Sequence, residues 1–131
     1  MKNKVLIIED NEQNLYLVTF ILEKYGYQVL QARDGKAGIE IVKKDLPDLI
    51  LLDIQLPVMD GYEVARELRK IIGGKKIAII AVTSYAMVGD REKALASGCT
   101  DYITKPIDPD TFIESIQQYL PNHNGRKEDE S

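Results

Sequence analysis

Glu9 and Asp10 close one short apolar run of the chain, and Asp53 closes another. Thr83 and Ser84 close a third, and Lys105 with Pro106 a fourth. If these runs lie side by side, three carboxylates converge. Two unit charges about 4 Å apart repel by about 4 kcal/mol at an effective dielectric of 20, so such a cluster needs protons or a cation. All-oxygen donors suit Mg²⁺, which takes one or two carboxylates, keeps several waters and shares phosphate oxygens. A lysine and a hydroxyl beside the metal would meet an incoming phosphoryl group while a carboxylate attacks it, which is phosphoryl transfer to an aspartate. Asp53, alone at the end of Leu49 to Leu52, is the candidate nucleophile, and the paired Glu9 and Asp10 suit metal. Singly, each group has a plainer use: the acids and Thr83 can cap helices, and a lysine is usually solvated. The set of four strand ends carries the chemistry.

The positioning elements follow from period. Val5 to Ile8, Tyr27 to Ala32, Leu49 to Leu52, Ile77 to Val82 and Tyr102 to Thr104 are too short for helices and rich in Val, Ile and Leu, so they read as strands. Several lack polar alternation, as a parallel sheet covered on both faces requires. Helical spacing occupies 12–25 (Leu15, Val18, Leu22, Tyr25), 36–44 (Ala37, Ile41), 61–72 (Val64, Leu68, Ile71), 87–97 and 109–120 (Phe112, Ile116, Leu120). Gly26 and Gly98 follow helical stretches, and Pro109 follows Asp108 as a first-turn proline behind an N-cap. Five strand-then-helix repeats argue for an α/β doubly wound parallel sheet with right-handed crossovers. In that architecture ligands sit beyond the carboxyl ends of the strands, where the candidate residues lie.

The 131 residues suit one domain, read as 1–120, followed by a polar tail at 121–131 with no apolar residue after Pro121. One cysteine, Cys99, and one histidine, His123, exclude an internal disulfide and a Cys/His zinc site, favouring a reducing, cytoplasmic setting. Cys99 reads as a small core residue. No apolar run approaches the roughly 20 residues of a membrane span. A formal charge of −4 disfavours direct nucleic-acid binding.

As an ordered set, Ile7-Ile8-Glu9-Asp10-Asn11, Asp48 to Asp53, Leu56-Pro57-Val58-Met59-Asp60-Gly61, Ala81-Val82-Thr83 and Gly98 to Pro106 resemble the receiver domain of two-component response regulators. The resemblance covers about residues 3–120. It implies a flavodoxin-like five-stranded sheet of order 2-1-3-4-5 with five helices, and phosphorylation of Asp53. It further implies Mg²⁺ held by Asp10, Asp53 and the backbone carbonyl of Gln55, with Glu9 acting through a water. Lys105 would contact the phosphoryl oxygens beside a cis peptide to Pro106. Thr83 and Tyr102 resemble the family's switch pair, which reshapes the surface of the fourth helix, fifth strand and fifth helix. The implied partners are a histidine kinase or histidine phosphotransfer protein and a downstream protein target, with a monomer or phosphorylation-dependent dimer.

Glu9 to Glu12, Asp53 to Pro57, Ala86-Met87 with Gly89-Asp90, and Gly98-Cys99 resemble stand-alone cell-division regulators and hybrid-kinase receivers more narrowly. The start at Met1 and the polar tail favour a complete regulator over an excised receiver. An aspartate-nucleophile phosphatase of haloacid-dehalogenase type would use the same groups, but its acid/base position, two residues after the nucleophile, is Gln55. A flavin-binding relative lacks its phosphate-cradling loop after the first strand, and a pseudo-receiver would not need Asp10, Asp53, Thr83 and Lys105. Gln55 and Tyr85 are expected to rim the phosphoryl group and tune its lifetime. On the first helix, a partner surface is expected in which Asn11, Glu12, Gln13 and Asn14 surround the acidic site and Leu15 joins a hydrophobic contact with a histidine-bearing helical bundle.

Overall fold

The computed structural model describes residues 3–84 and 89–120, in which five strands and five helices alternate. The order is β1 (Lys4–Ile8), α1 (Glu12–Lys24), β2 (Gln28–Ala32), α2 (Gly35–Lys44), β3 (Leu49–Asp53), α3 (Gly61–Ile72), β4 (Ala78–Thr83), α4 (Asp90–Ala96), β5 (Asp101–Thr104) and α5 (Pro109–Gln117). The strands form one sheet in the order β2-β1-β3-β4-β5, parallel throughout. This is the flavodoxin-like topology that the sequence resemblance implied.

Successive side chains of a strand point to opposite faces, so each central strand feeds two cores. Val5 and Ile7 of β1, Leu49 and Leu51 of β3, and Ile80 and Val82 of β4 pack against α1 and α5. Leu6, Ile8, Ile50, Leu52, Ile79 and Ala81 pack the other way, against residues of α2, α3 and α4. Burying each such Leu or Ile contributes about 1.5–3 kcal/mol relative to exposure, which is why β3 and β4 carry apolar runs instead of alternation. Every residue of β3 and β4 is buried. The edge strand β2 is half-exposed, because it has a neighbour on one side only.

Helix ends follow local chemistry. Asn11, Asp34, Asp60 and Asp108 each cap a helix through the side chain, and Asp60 with Glu63 completes a capping box. Pro109 opens α5 as expected. That helix stops at Gln117, three residues before the expected limit, where i→i+3 bonds from Tyr119 to Ile116 and from Leu120 to Gln117 tighten the chain. Leu120 is buried nonetheless. Tyr25 departs from its expected inward face: it is the C-cap of α1 and 55% exposed. In α2 the buried face consists of Gly35, Gly38 and Val42, with Ala37 and Ile41 at its margin. A Cβ on Gly38 would lie 2.4 Å from Ile8 Cδ1, so glycine lets the helix approach β1 closely. The expected roles of Tyr85 and of the 121–131 tail lie outside the described residues.

Candidate functional site

Parallel register sets the site. Ile8 pairs with Leu52, Asp53 with Val82, and Thr83 with Thr104, so β1, β3, β4 and β5 reach the same edge together. Residues one step beyond these pairs meet there. Glu9, Asp10 and Asp53 each offer a carboxylate oxygen within 4.8 Å of the others. Glu9 and Asp53 are buried, whereas Asp10 is exposed at the rim.

Lys105 enters from the far side of the sheet. Its backbone N–H donates to Thr83 O at 2.7 Å, and its peptide bond to Pro106 is cis. Its ammonium lies 3.1 Å from Glu9 Oε1 and 3.4 Å from Asp53 Oδ2. Asp53 Oδ1 accepts the Gln55 N–H at 2.9 Å, and Glu9 Oε2 accepts the Asn11 N–H at 3.1 Å. Asn11 thus fixes the first helix and orients a site carboxylate from consecutive groups of one residue.

With all three acids ionised, one lysine leaves the crevice net negative. The Glu9 carboxyl responds: burial, a hydrogen bond shared with Asp53 and that carboxylate's charge push it up to about 7, against the opposing pull of the Asn11 N–H and Lys105. An all-oxygen donor set with uncompensated negative charge at a solvent-facing rim fits a hard divalent cation such as Mg²⁺.

The loop after β3 is shaped by Gly61. A Cβ there would sit 2.5 Å from Ile54 Cα and 2.8 Å from Asp53 O, and the Gly61 N–H donates to Ile54 O. No bulkier residue allows α3 to begin against the backbone of the candidate nucleophile. Gln55 Oε1 accepts the Ser84 N–H at 3.3 Å, tying the ends of β3 and β4.

The structure brings together Glu9, Asp10, Asp53 and Lys105, with Gln55 bonded to Asp53 and Thr83 buried at the adjoining strand end. Tyr102 lies one strand further out on β5, half-buried against the core shared with α2, α3 and α4. One expectation fails. Leu15 is 2% exposed and packs in the α1/α5 core, so it is not a contact for a partner bundle. The large apolar side chains that α1 exposes are Tyr16 and Phe20, stacked with ring centroids 6.4 Å apart. Sequence reasoning also missed the pairing of Lys105 with Glu9 and the Gly61 contact. No local signal carries the first, while glycine after the Asp60 cap is a signal for the second.

The profile of the response regulator receiver domain matches residues 5–117. The polar-differentiation response regulator DivK of Brucella anthropi is 42% identical over 120 residues, 92% of this chain and 98% of that protein. A CheY-like receiver domain from Methanospirillum hungatei superposes with a TM-score of 0.86 at 29% identity, covering 96% of this chain and 99% of the other. The receiver domain of a Pseudomonas aeruginosa sensor histidine kinase, with a magnesium ion coordinated in its active site cleft, superposes with a TM-score of 0.82 at 34% identity, covering 91% and 98%. A chain in the co-crystal structure of Saccharomyces cerevisiae Ypd1, a histidine phosphotransfer protein, with the Ssk1 receiver domain gives a TM-score of 0.84 at 32% identity, covering 91% and 89%. With a family match over residues 5–117, a relative 42% identical over nearly its whole length and the sheet order of the superposed receivers, the chain belongs to the response regulator receiver domains, the phosphoacceptor modules of two-component signalling.

Proposed function

We propose that Asp53 accepts a phosphoryl group from a phosphohistidine on a histidine kinase or histidine phosphotransfer protein. The observation that carries this reading is the meeting of buried Asp53 and Glu9 with Asp10 and Lys105 at one strand edge. An Asp53 carboxylate oxygen attacks phosphorus, the phosphorus–nitrogen bond breaks, and the departing imidazole takes a proton from solvent. Lys105 offsets charge on the phosphoryl oxygens, and the Gln55 N–H holds the Asp53 carboxylate in orientation. Asp10, Asp53 and the Gln55 carbonyl, with Glu9 through a water, would hold Mg²⁺, which supplies further neutralisation of phosphoryl charge when bound.

Thr83 then turns its hydroxyl toward the phosphoryl group, and Tyr102 moves inward from its half-buried position, reshaping α4, β5 and α5 for a downstream protein. The chain catalyses its own phosphorylation and a slow hydrolysis, because Gln55 stands where a general acid/base would speed turnover. The likeness to DivK supports a regulator of the polar-differentiation type. We read it as acting in the cytoplasm, by protein contact or phosphorelay. The Ypd1 and Ssk1 likeness supports a phosphotransfer partner.

The test is incubation with Mg²⁺ and acetyl phosphate, followed by intact mass beside Asp53→Asn. One base-labile phosphoryl group that requires both metal and Asp53 is the expected result. No addition, or addition indifferent to Asp53→Asn, overturns the assignment.

A further inference from the structure

At the opposite edge of the sheet, where β4 and β5 begin, Arg69 of α3 crosses beneath both strands. Its Nε donates to Gly98 O at 2.7 Å, its Nη1 to Ile77 O at 2.8 Å and its Nη2 to Thr100 Oγ1 at 3.1 Å. Gly98 permits this course: its φ is +109°, and a Cβ there would lie 2.6 Å from Arg69 Cγ. All three acceptors are neutral oxygens. Among the described residues, no carboxylate lies within ion-pair distance of Arg69, Lys75 or Lys76. The guanidinium has five N–H donors, so two have no acceptor among the described residues.

Arg69, Lys75, Lys76, Thr100 and Tyr119 line an open cleft of about 390 Å³, floored by Ile77 and Ala78. Six residues of β4, about 20 Å, separate it from the phosphoacceptor edge. In a chain of net charge −4, three uncompensated cations around one cleft are a local reversal of sign. A partly buried arginine held by two carbonyls and a hydroxyl keeps one donor on each Nη for an oxyanion, while flanking lysines add adaptable point charges.

We infer that this cleft is a second ligand site, taking a multiply charged oxyanion of the phosphate class on Arg69, Lys75 and Lys76.

The test uses the full-length protein without Mg²⁺ at physiological ionic strength, titrated with inorganic pyrophosphate and followed by NMR. The expected result is a saturable shift of the Lys75, Lys76 and Thr100 amides and of Arg69 Nε. Lys75→Gln with Lys76→Gln, both exposed, should weaken binding about tenfold or more without altering the fold. Arg69→Lys keeps the charge but loses the two Nη donors and should weaken it as well. Absence of saturation, shifts centred on the Asp53 edge, or affinity unchanged in the double lysine variant overturns it.

Discussion

Lys105 and Glu9 form an ion pair of 3.1 Å between side chains that are only 13% and 6% exposed, joining residues 96 positions apart in sequence. The same ammonium lies 3.4 Å from Asp53, so one cation is shared by two buried carboxylates. Burying charge costs free energy unless it is paired, and the pair here serves two acids at once. Lys105 consequently occupies part of the electrostatic role that a divalent ion would take at the same oxygens.

That overlap gives Lys105→Met two effects of opposite sign. Without the competing ammonium, Mg²⁺ should bind more tightly, about three- to tenfold by calorimetry. Without a cation on the phosphoryl oxygens, phosphorylation by acetyl phosphate should slow by about 10²-fold or more. If metal affinity and phosphorylation rate both fell, Lys105 would be organising the metal site instead of competing with it.

Gly61 and Gly74 offer a paired test of backbone proximity. Gly61→Ala must displace Ile54 Cα or Asp53 O, and should cost about 1–3 kcal/mol in denaturant unfolding and disturb phosphorylation. Gly74→Ala meets no atom within 4 Å and should leave stability unchanged or raise it by about 0.4–1 kcal/mol. Equal behaviour of the two variants would show that α3 does not depend on close approach to β3.

Much of this was legible in sequence because the sheet is parallel and covered on both faces. The runs Val5–Ile8, Leu49–Leu52 and Ala78–Val82 are uniformly apolar for that reason, and each brings the polar residue after it, Glu9, Asp53 or Thr83, to the same edge. Leu15 was misread because helical spacing shows that α1 has an apolar face without showing which members α5 covers. The Lys105–Glu9 pair was invisible because contact across 96 residues exists only once β3 and β4 stand between β1 and β5. The Arg69 cleft was invisible for the same reason, since its acceptors come from the turns before β4 and β5.

The switch proposed for Thr83 and Tyr102 separates chemistry from response. Thr83→Ala leaves Asp53, Asp10 and Lys105 in place, so phosphorylation should fall by less than about tenfold. Amide shifts of β5 and α5 on phosphorylation, read by NMR, should shrink strongly. A full response in this variant would remove Thr83 from the switch.

The base of the same surface carries a second coupling, in which Tyr119 of the α5 end donates its hydroxyl to Asp101 of β5, itself paired with Arg91 of α4 at 3.0 Å. The hydrogen bond from Tyr119 to Asp101, with burial and the carboxylate charge added, pushes the phenol up to about 12. Burial opposes the Asp101 charge, but Tyr119, the Tyr102 N–H and Arg91 outweigh it and hold that carboxyl below its usual range. A tyrosine raised on folding contributes stability that is complete below its unfolded value near 10 and is lost as pH rises toward about 12. A depressed aspartate contributes stability present above its unfolded value near 3.9 and lost as pH falls through its folded value. Tyr119→Phe should therefore be less stable than the parent by a constant amount, about 0.5–1.5 kcal/mol, from pH 5 to 9. The gap should close between about pH 10 and 12, and Asp101→Asn should flatten the acid side as well. Denaturant midpoints measured across that range check both limbs, and a gap that persists unchanged at pH 12 would show that Tyr119 contributes packing rather than its hydrogen bond.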